Sequence, residues 1–374
     1  MGGGGAADEG LEGAMSKRIG VLTSGGDCPG LNAVLRGVVR AATNRNWEVL
    51  GIHDGFEGLL AKDHDNFELL DLKRTAGIMP LGGTILGTTN RGHFITKVGA
   101  GTRAQVSPNV IVQTKETLRK LGIEALIVIG GDGSLTCALQ LHEAGVPVVG
   151  VPKTIDNDLE ATSMTFGFDS AVACVADALD RLHTTASSHK RAMVIEVMGR
   201  HAGWIALYGG LAGGADVILI PEIPFDYEKV AAAVRQREAD HCLSSLIVVA
   251  EGAHCVNEGE VFHKTTSGEH RLGGIGERVA ADIERRTGKE TRICVLGHLQ
   301  RGGPPTTLDR ILGTRFGVHA VELIAEGRLG EMVSYRNYEV GSVPIADAVD
   351  RLKIVKPDSQ MVLTARAVGI SFGD

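Results

Sequence analysis

Asp156 and Asp158 stand two residues apart in the run Pro152-Lys153-Thr154-Ile155-Asp156-Asn157-Asp158, with Thr154 and Asn157 as neutral hydrogen-bonding partners beside them. A carboxylate so placed can take the proton of an alcohol while a metal ion and nearby cations manage the charge of a transferring phosphoryl group. Two glycine-rich runs supply the other half of that chemistry. Gly25-Gly26-Asp27 and Gly130-Gly131-Asp132-Gly133-Ser134 each follow an apolar, β-branched segment, and glycine lets backbone amides approach an anion at a helix start. Asp132 is the odd residue among them, because a carboxylate repels phosphate unless Mg²⁺ lies between the two; it reads as a metal ligand. Plainer alternatives stay open. Asp132 or Ser134 can be a helix N-cap, and the Asp156 run can be an Asx-rich surface turn.

Cations follow where a sugar phosphate needs them. Arg200 stands in Glu196-Val197-Met198-Gly199-Arg200-His201-Ala202-Gly203-Trp204, and Arg301 in Gly297-His298-Leu299-Gln300-Arg301-Gly302-Gly303, both at expected strand exits; Arg191 and Arg292 precede or open those strands. Arginine meets phosphate oxygens bidentately, although singly each is as readily a solvated surface charge. The formal net charge of -7 argues against general nucleic-acid binding, so an anionic substrate has to meet a local basic cluster. His298 has no HxxxH or HxH companion, and a structural role is its plain alternative.

The elements that must carry these residues alternate. Arg18 to Thr23 reads as a strand, and Pro29 opens a helix with Leu31, Val34, Leu35, Val38 and Val39 at helical spacing. Further strands are expected at Glu48 to Ile52, Ala125 to Ile129, Val148 to Val151, Ala192 to Val197, Val217 to Ile220, Leu246 to Ala250 and Arg292 to Leu296. Such alternation predicts an α/β fold with parallel, doubly wound sheets and ligands at the carboxyl ends of the strands. At 374 residues, two similar halves around a cleft are the natural division. Arg91 to Pro108 and Gly252 to Gly274 read as insertions. The six scattered cysteines lack CxxC pairing and suit reduced thiols in a cytosol, no run reaches the length of a membrane span, and the glycine-rich leader reads as disordered, with Met15 an alternative start.

Eight motifs in order, TSGGDCPGLNAVLRGVVR, GGTILGT, VIGGDGSL, PKTIDND, EVMGRHAGW, IPE, AEG and VLGHLQRGG, make the chain resemble a bacterial-type 6-phosphofructokinase from about Arg18 to Arg351. GGDG also occurs in NAD kinases and lipid kinases, neither of which accounts for PKTIDND together with VLGHLQRGG. The resemblance implies two Rossmann-like domains with mainly parallel sheets around an active-site cleft, and Mg²⁺-dependent transfer from ATP to the 1-hydroxyl of fructose 6-phosphate in the cytoplasm. It implies Asp156 as the base, Asp158 as a supporting carboxylate near metal and substrate, and Asp132 as the Mg²⁺ site. Gly26, Arg91, Gly131, Gly133 and Ser134 would bind the donor, Thr154 and Lys153 the phosphate, and Arg200 would stabilise its charge. Met198, Gly199, Glu251, His298 and Arg301 would bind the sugar phosphate. Arg191 and Arg292 match arginines reaching a neighbouring subunit's site, which implies a homo-oligomer, usually a homotetramer. The implied division is a leader 1–17, a donor domain 18–155 with a return segment near 270–325, and a sugar-phosphate domain 156–270 with the C-terminal 326–374.

Departures from the family pattern bear on the donor and on regulation. Gly133 matches ATP users, whereas Lys153 matches the lysine of pyrophosphate users, so pyrophosphate stands as the alternative donor. Cys137 stands where a glycine often lines the adenine pocket, and Arg91 is one residue out of step with the family's arginine. Arg36 and Arg40 match effector-site cations, but Asp63, His183, Asp240 and Cys242 fall at positions that are basic in members activated by ADP and inhibited by phosphoenolpyruvate, which implies weak regulation by both. A non-catalytic sugar-phosphate sensor would be expected to lose Asp156 or Asp132; both are present.

Overall fold

The computed structural model describes residues 16–61, 66–89, 91–94, 105–264 and 270–374. In its N-terminal part β1 (Arg18–Ser24) leads through α1 (Leu31–Thr43) to β2 (Glu48–Ile52) and β3 (Phe67–Leu70). There follow α2 (Pro108–Lys120), β4 (Ala125–Gly130), α3 (Asp132–Glu143) and β5 (Val148–Pro152). The middle of the chain holds α4 (Phe168–His189), β6 (Ala192–Val197), α5 (Trp204–Ala212), β7 (Val217–Leu219), α6 (Tyr227–Ala239) and β8 (Ser245–Ala250). The remainder is β9 (Phe262–Lys264), β10 (His270–Leu272), α7 (Ile275–Thr287), β11 (Thr291–Val295), α8 (Thr307–Ala325), β12 (Glu331–Arg336), β13 (Glu339–Pro344), α9 (Ile345–Val349) and α10 (Gln360–Ala367).

Two sheets result. One runs β13-β12-β5-β4-β1-β2-β3 and is parallel except where β3 and β13 pair antiparallel at its two edges; the other is β11-β6-β8-β7, parallel throughout. Every residue of β4, β5, β6 and β8 is buried, as both-face coverage by helices requires. The expected strands are all present. The short β3 and the β12–β13 pair were not foreseen, and Gly252 to Gly274, expected as an insertion, carries the antiparallel β9–β10 hairpin. The expected return segments need correction. β11, from the segment assigned to the donor domain, pairs with β6 in the second sheet, while β12 and β13, assigned to the sugar-phosphate domain, complete the first. A parallel strand goes where an edge is free, and the chain crosses between sheets twice to fill both.

Helix α1 buries Leu31, Val34, Leu35, Val38 and Val39 completely, as their spacing predicts. It lies against α8 at backbone distance. A Cβ at Gly37 would sit 2.6 Å from the Thr314 carbonyl, and one at Gly317 would sit 2.3 Å from the Val34 carbonyl. Because the obstructing atoms are backbone, no rotamer change relieves the clash. Gly317→Ala is therefore expected to destabilise the fold by about 1–3 kcal/mol, seen as a lower midpoint in thermal unfolding, whereas Ala at Gly341, which has open space around it, should not lower it.

Candidate active site

Three parallel strands end side by side. Ser24 pairs with Gly130 and Gly130 with Pro152, so the exits of β1, β4 and β5 form one edge carrying the three sequence runs. At β4 the helix N-cap is Gly131, with no side-chain capping bond, and Asp132 is already in the first turn of α3. This removes the reading of Asp132 or Ser134 as N-cap. Ser134 instead packs under the glycines: a Cβ at Gly130 would meet its Cβ at 2.3 Å, and one at Gly25 its Oγ at 3.3 Å. Gly25 has φ of +82°, so there the left-handed turn itself demands glycine. Its backbone is tied to the GGTILGT segment and the residue after it, Gly25 N–H donating to Thr89 O (3.2 Å) and Thr88 Oγ donating to Gly25 O (2.6 Å). Arg91 lies two residues beyond and is exposed.

The β5 exit is not a surface turn. Lys153 and Asn157 are buried, and Oδ1 of Asp156 is sealed without a hydrogen-bond partner. Asn157 takes a left-handed backbone (φ 52°) and accepts from Thr165 N–H at 3.1 Å, while Thr154 O accepts from Thr165 Oγ1 at 2.7 Å. Burial first, and then the neighbouring Asp158 and Glu251, push the Asp156 carboxyl up to about 7, against the pull of Arg301 and Lys153. Asp158 is raised too, mainly by burial, with a hydrogen bond from Thr154 and the charge of Lys353 opposing the rise. Lys153 turns its ammonium to the Gly26 carbonyl, and burial lowers its pKa. It ties the β5 exit to the β1 loop, rather than extending toward the sugar side.

From the second sheet come the cations. The exits of β6, β8 and β11 open on a cavity of about 700 Å³ lined by Asp156, Met198, Arg200, Glu251, His298 and Arg301, among others. Gly199, at φ +137°, turns the chain after β6, and a side chain at Gly252 would land 2.0 Å from the Arg200 carbonyl. Arg301 reaches back to the donor side: a Cβ at Gly26 would lie 2.1 Å from its Nη1. Thus the sequence-predicted Asp156, Met198, Arg200, Glu251, His298 and Arg301 come together in one cavity, and Arg301 brings Gly26 to its edge.

Arg191 and Arg292 do not join it. They sit at the opposite, entry ends of β6 and β11, each paired with Glu290. Glu196, Leu272 and Glu277 line the cavity without having been singled out. Glu196 is buried and accepts the N–H groups of Gly274 and Gly276 (2.8 Å for the latter), so it anchors the start of α7 at the cavity wall. The signal was a glutamate at the end of a buried strand, opposite a Gly273-Gly274 helix start.

For a metal, the donor set is sparse: among the described residues no three His, Cys, Asp or Glu side chains are placed to hold a metal ion together. Mg²⁺ in phosphoryl transfer commonly takes one or two carboxylates and completes its shell with substrate phosphates and water. One hard oxygen donor, Asp132, at the start of α3 beside the β1 and β5 exits fits that mode. Cys137, at the expected adenine side, is buried and donates to Phe94 O at 3.1 Å. Of the effector-site positions, Asp63 lies outside the described residues. Among the described residues no helix is long and apolar enough to cross a membrane.

Comparison with known proteins agrees with this geometry. The phosphofructokinase family model matches residues 18–324. An ATP-dependent 6-phosphofructokinase of Chloroflexus aggregans is 54% identical over 361 residues, covering 96% of this chain and 99% of that protein. A pyrophosphate–fructose 6-phosphate 1-phosphotransferase of Streptomyces coelicolor is 49% identical over 95% of this chain and all of its own length (100%). The structure of phosphofructokinase from Saccharomyces cerevisiae superposes with a TM-score of 0.77 at 31% identity, covering 90% of this chain, which spans 45% of that longer one. With the motifs, the paired sheets and the shared cavity in place, the chain belongs to the phosphofructokinase family.

Proposed function

We propose that this phosphofructokinase transfers the terminal phosphoryl group of ATP to the 1-hydroxyl of fructose 6-phosphate, and that Asp156 is the base. The observation that carries the reading is the sealed, unpartnered Oδ1 of Asp156 on a cavity also lined by Arg200, Arg301 and Glu251. A carboxylate held at about 7 is half ionised near neutral pH and basic enough to accept the hydroxyl proton as the new P–O bond forms. Arg200 stabilises the charge on the phosphoryl oxygens, Asp158 sustains the basicity of Asp156, and Thr154 orients the phosphate. The glycine amides of the β1 and β4 exits, with Gly131, Gly133 and Ser134, hold the donor phosphates. Asp132 would hold Mg²⁺, which when bound neutralises those phosphates.

Arg301 and His298 bind the 6-phosphate side, and Met198, Gly199 and Glu251 hold the sugar. Arg191 and Arg292 face away from this chain's cavity, which supports their completing a neighbouring subunit's site in a homo-oligomer, with tetramer the family's usual form. The scattered cysteines, without CxxC pairing, support a cytoplasmic setting. A second reading, pyrophosphate as donor, is favoured by the Streptomyces coelicolor relative.

Initial rates with fructose 6-phosphate, Mg²⁺ and either ATP or pyrophosphate are expected to show turnover with ATP; turnover with pyrophosphate alone would establish the second reading. Asp156→Ser should lower kcat by about 10² or more. For the parent enzyme, kcat/KM should fall as pH drops through about 7, where Asp156 takes up its proton. Removing the Asp158 charge lowers the Asp156 pKa, so Asp158→Asn should move that limb to lower pH; an unmoved limb would assign it to another group.

A further inference from the structure

The chain beyond the family-matched residues 18–324 returns to the active site. After α9, residues 352–355 run between the two loops that carry the catalytic groups. Leu352 bridges Leu159, and Lys353 N–H donates to Asp158 O at 2.8 Å. On the other side, Trp204 Nε1 donates to Lys353 O at 2.8 Å, and Val355 N–H shares the Glu222 carboxylate with Gly203 N–H. Trp204 and Gly203 close the loop that bears Arg200; Asp158 and Leu159 close the loop that bears Asp156.

Lys353 adds its side chain to this seam. Its ammonium donates to Asn157 Oδ1 (2.9 Å), Thr162 O (2.9 Å) and Ser163 O (3.1 Å), which satisfies all three of its N–H groups, and it lies 5.9 Å from the centre of the Trp204 ring. Asn157 is the residue between the two carboxylates; its backbone is left-handed, and its Oδ1 is held jointly by Lys353 Nζ and by Thr165 N–H at 3.1 Å. Turning Asn157 turns both neighbours. Around the ammonium the charged groups are Asp158 and Glu160, the latter 3.8 Å from Arg351.

We propose that Lys353 is a positioning residue for phosphoryl transfer: by gripping Asn157 while its backbone bonds to Asp158 and Trp204, it sets Asp156 and Asp158 in register with Arg200. This deepens the reading above, since it rests on Asp156 being the base. A displaced base costs turnover more than ground-state binding, because the sugar is held chiefly by residues that Lys353 does not touch.

The test uses the full chain and MgATP with fructose 6-phosphate. Lys353→Met is expected to lower kcat by about 10- to 100-fold with KM for the sugar phosphate changed by less than about threefold, and Lys353→Arg to recover most of the loss. Lys353→Gln, which keeps a hydrogen-bonding head without the charge, should fall between. A Met variant that is folded and turns over within about twofold of the parent overturns the proposal, as does a rise in KM with unchanged kcat. If neither the Met nor the Gln variant folds, the tail serves the fold and the proposal fails. Asp156→Ser measured alongside separates the two ideas: an active Ser variant removes the base reading itself, whereas an inactive one beside an intact Lys353→Met removes only the positioning role.

Discussion

Two carboxylates two residues apart, both partly buried at the exit of β5, are the constraint around which this active site is built. Withdrawing one charge is costly, and withdrawing a like pair more so. The fold answers with cations set at a distance. Arg301 comes from the segment after β11, Lys353 from the C-terminal tail, and Lys153 from the run itself, yet none of the three is ion-paired with Asp156. Full pairing would pull the carboxyl below its ordinary range and leave a weak base. Partial compensation leaves Asp156 near neutrality, the range a general base requires. The unpartnered Oδ1 is the same compromise seen in hydrogen bonding: a buried acceptor to which the protein itself supplies no donor.

That compromise dictates how the two sheets meet. Donor phosphates need backbone amides, available where strands end in glycines, and the sugar phosphate needs arginines, which cannot crowd the donor loop without a gap to enter. Gly26 provides that gap, with the Arg301 guanidinium where a side chain would be. Gly82 does the same one loop away, where a Cβ would lie 2.3 Å from the Gly303 carbonyl. Asn32 in α1 braces this segment, donating to Leu81 O at 3.1 Å and accepting from Ile85 N–H at 2.9 Å. Each glycine thus lets the chain opposite approach, an arginine side chain at Gly26 and the Gly303 backbone at Gly82.

Much of this was legible in the sequence because it is written locally. Fully buried parallel strands appear as short apolar runs, and Ala125 to Ile129 could hardly be anything else; strand exits bearing glycine and aspartate then mark the ligand edge. What was not legible depends on pairing at long range. Nothing in the polar run Glu331–Arg336 says that it adds to β5, since its partner lies far away in sequence and only one face of it resembles a core strand. Thr291–Val295 read correctly as a strand, but its sheet could not be inferred from its residues. Lys353 is the extreme case. A lysine in a tail has no local signature, and its meaning comes from three acceptors that converge on it from residues 157 to 163.

Lys153 shows how a motif can be present while its chemistry is spent elsewhere. In sequence it is the residue that matches pyrophosphate users. In the structure its ammonium is buried against the Gly26 carbonyl, with its pKa lowered by that burial. To bind a phosphate it would have to leave an acceptor that would then be stripped of its partner, a loss of about 1–3 kcal/mol for a buried group. Held where it is, Lys153 places its ammonium beside the β1 loop. On the function proposed above, a buried lysine in that position is compatible with either donor, and discrimination would fall to the first turn of α3. There Gly133 adds no acidic group that would repel a nucleotide's α-phosphate. The residue that matches the alternative donor class acts here as a strut for the glycine loop, and the residue that leaves ATP admissible is the one with no side chain.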